Sequence, residues 1–501
     1  MIIDDQIYDV IIVGTGAGGG TLAQKLAPTG KKILILERGD FMPLEEQNRS
    51  NVDIFKRERY HAPEQWYDRA GEPFSPQMNY AVGGNTKIYG AVLQRFRERD
   101  FEAVQHQNGI SPEWCVKYAD FEPYYTEAEA LYKVHGQAVN DPTEPPHSAD
   151  YPFPAIAQEP QIESIVEAIA QQNLHPSALP LGLTRQEDDP TNDSEVSGIA
   201  PALTHPNVTL KTGAKVVQLH TNPSGRAVKG VEAEVGGQPF LFLGEIVVLA
   251  CGAINTAALL LRSKNDVYPN GLANSSGLVG QNLMKSLITV VVQLSNQSNS
   301  GSFQKTVSVN DFYWGDADFP YPMGHIQSAG GLLTDIIFAE APPMFSVLAR
   351  FLPGFGLKQL ATRSIGWWAQ TEDLPNPKNQ VRVEGSKIIV DYTANNREAH
   401  DRLIYRWTDV LKTVEKTLPG FQQIIHPKGE SPLQVLANQC GTCRFGEDPA
   451  TSVLDPNCRA HDVENLYVVD SSFFPSNAST SPALTIIANA LRVGDRLIEQ
   501  L

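Results

Sequence analysis

The sequence predicts an α/β protein. In it a Rossmann-like domain is interleaved with an α+β domain that carries a mostly antiparallel sheet. Three observations support this. The chain opens on an apolar strand, Asp9-Val10-Ile11-Ile12-Val13, that runs straight into Gly14-Thr15-Gly16-Ala17-Gly18-Gly19. A second strand, Lys32-Ile33-Leu34-Ile35-Leu36, ends on Glu37-Arg38. The same strand, turn and helix texture returns at 210–286 and 430–501, between stretches richer in Pro, Tyr and Trp. A domain assembled from the start, middle and end of a chain has to interleave with a second one. Residues 1–100, 196–286 and 430–501 are therefore expected in the first domain, and 101–195 and 287–429 in the second.

Each element of the first unit has a physical reason. Gly14 permits the tight turn after the strand, Gly16 lets the backbone approach a pyrophosphate, and Gly19 lets the following helix pack close. That helix presents its free N–H groups to phosphate. Glu37, with Arg38 beside it, stands where an acid can accept both ribose hydroxyls and disfavour a 2′-phosphate. Further along, Ile246-Val247-Val248-Leu249-Ala250 reads as a buried strand leading into a helix from Asn255 to Ser263. Strands are expected at 287–292 and 387–392, a buried strand at 466–470, and a closing helix from about Pro482 to Ile498.

Composition narrows the partners. At 501 residues the chain is too long for one simple core. A formal net charge of −17 argues against nucleic acid or an anionic membrane surface as partner; separately, a small-molecule substrate is expected. No apolar run reaches membrane-spanning length, and the first residues show no secretory signal, so a cytoplasmic location is expected. The five cysteines are too sparse for a disulfide framework. Cys440-Gly441-Thr442-Cys443 has redox spacing but no second pair for a metal, and no metal is expected.

Later motifs narrow the reading further. They are Val82-Gly83-Gly84-Asn85-Thr86-Lys87-Ile88-Tyr89-Gly90, Val248 to Thr256, Gly277 to Met284, Gly441-Thr442-Cys443-Arg444-Phe445-Gly446, and Leu466 to Asp470 followed by Pro482-Ala483-Leu484-Thr485. Together and in this order they resemble the glucose–methanol–choline (GMC) oxidoreductase family over essentially the whole chain. Within it the sequence is most similar to bacterial pyranose and C-glycoside oxidases, through Asn79-Tyr80, Asp141 to Pro146, Pro322 to Gln327 and Thr371 to Pro375.

The resemblance implies FAD rather than NAD, and oxidation of a CH–OH donor such as a sugar, glycoside or other alcohol. It implies that backbone near Val217 holds the adenine. It places Gly83, Gly84, Asn85 and Thr86 beside the isoalloxazine, and has Asp470 and Ala483 hold the ribityl chain and ring. Some relatives attach FAD through a histidine in the second glycine turn, but this turn has no histidine or cysteine.

Two catalytic positions depart from the family. A histidine that takes the donor's hydroxyl proton usually stands three residues before the Gly-Thr-Cys turn, and here it is Asn438. The partner His or Asn before the Pro-Ala-Leu-Thr stretch is Ser481. Neither an amide nor a hydroxyl is a base near neutral pH. His325 could substitute as a base, or could be a buried or subsite histidine bonding a substrate hydroxyl. Lys285 could serve if desolvated, or be an ordinary surface lysine. The apolar run 343–353 with Trp367-Trp368 could cover a lipid-like substrate, or simply be core. The alternatives to an oxidase are a flavoprotein running isomerisation, elimination or photochemistry on an apolar substrate, and a flavin-binding pseudoenzyme.

Overall fold

The computed structural model describes residues 1–43, 45–49, 53–54, 57–183, 192–295, 305–330, 362–418, 420–425, 432–436 and 438–501. The run at 343–353 lies outside them. Its first sheet is built from β1 (Ile2–Val13), β2 (Ile33–Leu36), β3 (Val208–Lys211), β4 (Ala214–Thr221), β5 (Val228–Val235), β6 (Gln238–Leu249) and β7 (Leu466–Val468). The order is β3-β2-β1-β6-β5-β4, with β7 added against β6. β3, β2, β1, β6 and β7 run parallel, as the glycine turn demanded. β4 and β5 form an antiparallel meander on the first half of β6. Helices α1 (Ala17–Leu26), α2 (Ala253–Arg262) and α3 (Ala483–Gln500) pack on this sheet. Val10 to Val13 and Ile33 to Leu36 are buried on both faces, as parallel strands covered by helices must be.

Among the described residues the second sheet has six strands, each antiparallel to its neighbour, in the order Phe421–Ile425, Leu287–Ser295, Ser364–Thr371, His325–Gly330, Val307–Val309, Ser177–Ala178. One face is packed by the helices Pro160–Ala170 and Arg397–Thr417. Strand alternation sends Val291, Ile326, Ile365, Trp367 and Ala369 into that core, against Ile165, Ile169, Leu403, Trp407 and Leu411. Trp367 is therefore core, edge-on to Trp407 with ring centroids 4.8 Å apart. The two sheets bear out the predicted α/β class and its antiparallel companion.

The boundary between the two cores differs from the expected one. The helix Tyr118–Leu131 and the hairpin Gln380–Glu384/Lys387–Asp391 fall inside the segments assigned to the second domain. Yet Phe121, Tyr125, Val381 and Val390 belong to the first core. The aromatic row Phe101, Tyr118, Phe121 and Tyr125 drives this, and Tyr125 OH bonds Thr485 Oγ1 on α3 at 2.8 Å. Composition could not show which core those aromatics would join. Among the described residues no helix is long and apolar enough to cross a membrane.

Trp407→Ala would empty a fully buried site in the second core. It should cost about 3–5 kcal/mol, read as a drop in unfolding free energy in a denaturant titration.

Candidate active site

The carboxyl ends of β1, β6 and β7 converge on one crevice. Gly14 (φ +101°) lies against β6 so closely that a Cβ there would meet Ala250 O at 2.4 Å. A Cβ on Gly19 would meet Gly14 O at 2.0 Å, which is why α1 can start so near the sheet. Gly16 is the opposite case: a Cβ there would meet nothing within 4 Å, and the same holds at Gly252 at the end of β6. The open volume therefore lies over Gly16 and Gly252, at the start of two helices. No side chain caps α1, and its first turn carries no acid, so its leading N–H groups face that volume unopposed.

Thr15 and Glu37 tie the crevice floor together. The Thr15 N–H and hydroxyl donate to Glu37 Oε2 at 3.0 and 2.6 Å, and the Gly39 N–H donates to Oε1 at 2.9 Å. Burial pushes the Glu37 carboxyl upward and these three bonds oppose it. A carboxylate has about four lone-pair sites, so Glu37 keeps room for about one further donor. That is narrower than the two ribose hydroxyls expected of it. Arg38 stacks on Tyr80, 3.6 Å from the ring centroid, and pairs with Glu64 at 2.5 Å.

The second glycine turn lies on the first. A Cβ on Gly84 would come 3.1 Å from Gly16 Cα, and the Gly83 N–H donates to Thr15 Oγ1 at 3.0 Å. Thr86 and Asn85 are consumed by the protein. Thr86 Oγ1 donates to Gly83 O at 2.6 Å and accepts from Ser194 N–H at 3.0 Å. Asn85 Oδ1 accepts from Asn79 N–H at 2.9 Å. Ser194, which the sequence reading did not single out, donates through its hydroxyl to Thr15 O and Gly16 O, both at 2.9 Å. A lone serine far along the chain carries no signal of that role. Val217 sits at a bulge in β4: the register passes from Val216↔Ala233 to Gln218↔Glu232 and skips it. A bulged residue is left out of the ladder, so its backbone is available to a ligand.

The far wall is set by Asp470. Its Oδ2 accepts from Gly252 N–H at 3.0 Å and Thr256 Oγ1 at 2.5 Å, and Oδ1 accepts from Ser472 N–H at 2.9 Å. Burial raises its pKa, against those bonds. Gln439 Oε1 accepts from Ile254 N–H at 2.9 Å, tying the Gly-Thr-Cys turn to the start of α2. Ala483 is half-buried and opens α3. Cys440 and Cys443 are buried free thiols, and burial holds both above the ordinary thiol range.

Asn438 is buried, and its amide has no hydrogen-bond partner among the described residues. Ser481 is half-buried just before Pro482. His325 lies in the second sheet, its Nδ1 2.7 Å from Asn310 Oδ1 and its Nε2 3.3 Å from Gln327 Oε1. Burial first, then the nearby Arg97 charge, lowers its pKa to about 3. It is a neutral imidazole at ordinary pH and holds a proton poorly. Lys285 is buried rather than on the surface, and its ammonium donates to the carbonyls of Pro432 and Val435 at 3.3 Å.

Comparison with known proteins agrees with this geometry. The GMC oxidoreductase N-terminal model matches residues 8–288 and the C-terminal model residues 376–490. The chain belongs to the GMC oxidoreductase family. It is 28% identical to paromamine 6′-oxidase of Streptomyces fradiae, over 98% of this chain and 91% of that one. It is 29% identical to 6‴-hydroxyparomomycin C oxidase of Streptomyces lividus, over 99% and 92%. It is 27% identical to 2-methyl-1,2-propanediol dehydrogenase of Mycolicibacterium austroafricanum, over 97% and 94%. Pyridoxine 4-oxidase from Mesorbium loti shares the fold with a TM-score of 0.68 at 18% identity, covering 98% of this chain and 99% of that one. Aspergillus oryzae formate oxidase does so with a TM-score of 0.71 at 16% identity, covering 99% of each. FAD is the cofactor of this family and of this chain. The space over Gly16 and Gly252, the uncapped α1 and the bulge at Val217 fit such a dinucleotide.

Gly16→Val should leave the FAD-free protein's melting temperature nearly unchanged, because a Cβ at this position meets no protein atom within 4 Å. It should weaken FAD binding by at least about 100-fold, or ~2.8 kcal/mol, in a flavin-fluorescence titration. The FAD should also be non-covalent. Tyr89, the nearest candidate nucleophile, donates to Asn192 O at 2.8 Å, and burial holds its pKa well above the ordinary value. Acid precipitation should leave the yellow colour in the supernatant; a flavin-bearing peptide in mass spectrometry would contradict this.

Proposed function

We propose that this protein oxidises a CH–OH group of a sugar, glycoside or other small alcohol, with Asn438 and Ser481 at the two catalytic positions. The family match over most of the chain supports the reaction class. Relatives named for paromamine and 2-methyl-1,2-propanediol support a hydroxyl-bearing donor. The net charge of −17 supports a small dissolved donor rather than a polyanion. Bound FAD supplies the hydride acceptor.

The chain's residues shape the rest. Gly16, Gly252 and the start of α1 would take the pyrophosphate. The spare site on Glu37 would take a ribose hydroxyl, and the Val217 backbone the adenine. The Asn438 amide, with no hydrogen-bond partner among the described residues, carries the catalytic reading. It can donate to, or accept from, a donor hydroxyl and so orient it, but it cannot take the proton. Ser481 has the same limit. His325, with its pKa near 3, is not a substitute base at neutral pH. Lys285 spends its ammonium hydrogens on carbonyls. Neither the two positions nor His325 or Lys285 thus offers a base, and oxidation of such a donor is slow. The same lack of a base favours the non-oxidase reading on an apolar substrate as the second possibility.

Asn438→His should raise the anaerobic flavin-reduction rate with sugars, glycosides or aliphatic alcohols by roughly 10²–10⁴. Ser481→Asn added to it should raise the rate further. An unimproved rate in both variants, with FAD bound normally, would turn the reading toward non-oxidase chemistry.

A further inference from the structure

Glu372 and Asp373 stand in succession where the strand Ser364–Thr371 leaves the six-stranded sheet. Both are buried. Asp373 collects four donors: the N–H groups of Lys285 and Ser286 at 2.9 Å each, the Tyr392 phenol at 2.7 Å and the Asn477 amide at 3.2 Å. These fill its lone-pair sites. Glu372 accepts from the Ser111 hydroxyl at 2.6 Å and from the Asn477 N–H at 3.3 Å, and its own N–H donates to Ser479 Oγ at 3.0 Å. Its remaining oxygen faces His106. There His106 Nε2 lies 3.4 Å from Glu372 Oε2, and its Nδ1 lies 3.2 Å from Asn396 Nδ2.

One dipeptide thus fastens both catalytic-position segments. The segment before Ser481 hangs from it directly, through Asn477 and Ser479. The segment of Asn438 hangs from it through 284–286. Met284 exchanges both backbone hydrogen bonds with Cys440, at 3.0 and 2.9 Å, and Lys285 holds the carbonyls of the loop at 432–435. Burial raises the pKa of Asp373, and its four donors oppose that shift.

We propose that Glu372 and Asp373 are positioning residues that set the Ser481 and Asn438 segments against the flavin, acting through Asn477 and Ser286. This rests on the placement of those segments at the flavin given under the proposed function. Removing the Glu372 carboxylate leaves the buried Asn477 N–H unpaired and frees the segment to turn. Glu372→Gln keeps a carbonyl acceptor of the same reach.

The test compares Glu372→Ala, Glu372→Gln, Asn477→Ala and Ala483→Trp, each reconstituted with FAD. The readouts are the visible circular dichroism of the bound flavin, the FAD dissociation constant and the melting temperature of the FAD-free protein. Glu372→Ala and Asn477→Ala should both change the flavin dichroism and raise the dissociation constant about tenfold. Glu372→Gln should restore both to near the natural values. Asn477→Ala leaves the carboxylates in place and carries the test if the Glu372→Ala protein does not fold. Ala483→Trp checks the placement itself: normal FAD binding in that variant would remove the segment from the flavin and overturn the reading underneath. If Ala483→Trp abolishes binding while the dichroism of the other variants matches the natural chain, the clamp is overturned and the placement stands.

Discussion

The site depends on one steric constraint, the approach of three backbones at the carboxyl ends of parallel strands. Gly14 presses on Ala250 of the β6 end, Gly18 of α1 presses on Val469 just past β7, and Gly19 presses back on Gly14. Each contact is closer than any side chain allows. The first turn of α1 at Gly16 and the start of α2 at Gly252 each open on space beyond these strand ends. Everything that binds there is placed by this contact, and the side chains only trim it.

Buried carboxylates do the trimming. Glu37 joins the end of β2 to the first glycine turn, Asp470 joins the end of β7 to the start of α2, and Asp373 joins the second sheet to 285–286 and Asn477. Each takes backbone N–H groups from segments distant in sequence. A buried carboxylate without donors would be costly, so satisfying it fixes the geometry of every segment that supplies one. Burial raises the pKa of all three, while the donated bonds oppose that shift.

Against this ordered frame the proposed catalytic positions stand out as under-furnished. Asn438 sits in a turn held on one side by Met284 and on the other by Ser471, which accepts from Gly441 N–H at 3.1 Å. The turn is built, yet the side chain it presents is an amide with no hydrogen-bond partner among the described residues. Two histidines of the second sheet and its covering helix are turned to structural use. His325 and His400 are buried and held neutral, and His400 bridges Thr289 and Thr371 across the sheet.

By itself, the sequence determined the glycine-turn unit, the parallel strands around it, the antiparallel strand at 287 and the identity of the residues at 438 and 481. Those features are local: a glycine spacing, an apolar period or a motif position is written in a few consecutive residues. Only the tertiary structure decided that Lys285 is buried, that Trp367 is core, that the helix Tyr118–Leu131 joins the first core, and that Glu37 has already spent most of its acceptor sites. It alone joined Ser194 to Gly16 and Glu372 to Ser479. Burial and hydrogen-bond satisfaction depend on which distant segments meet, and a linear chain does not carry that information position by position.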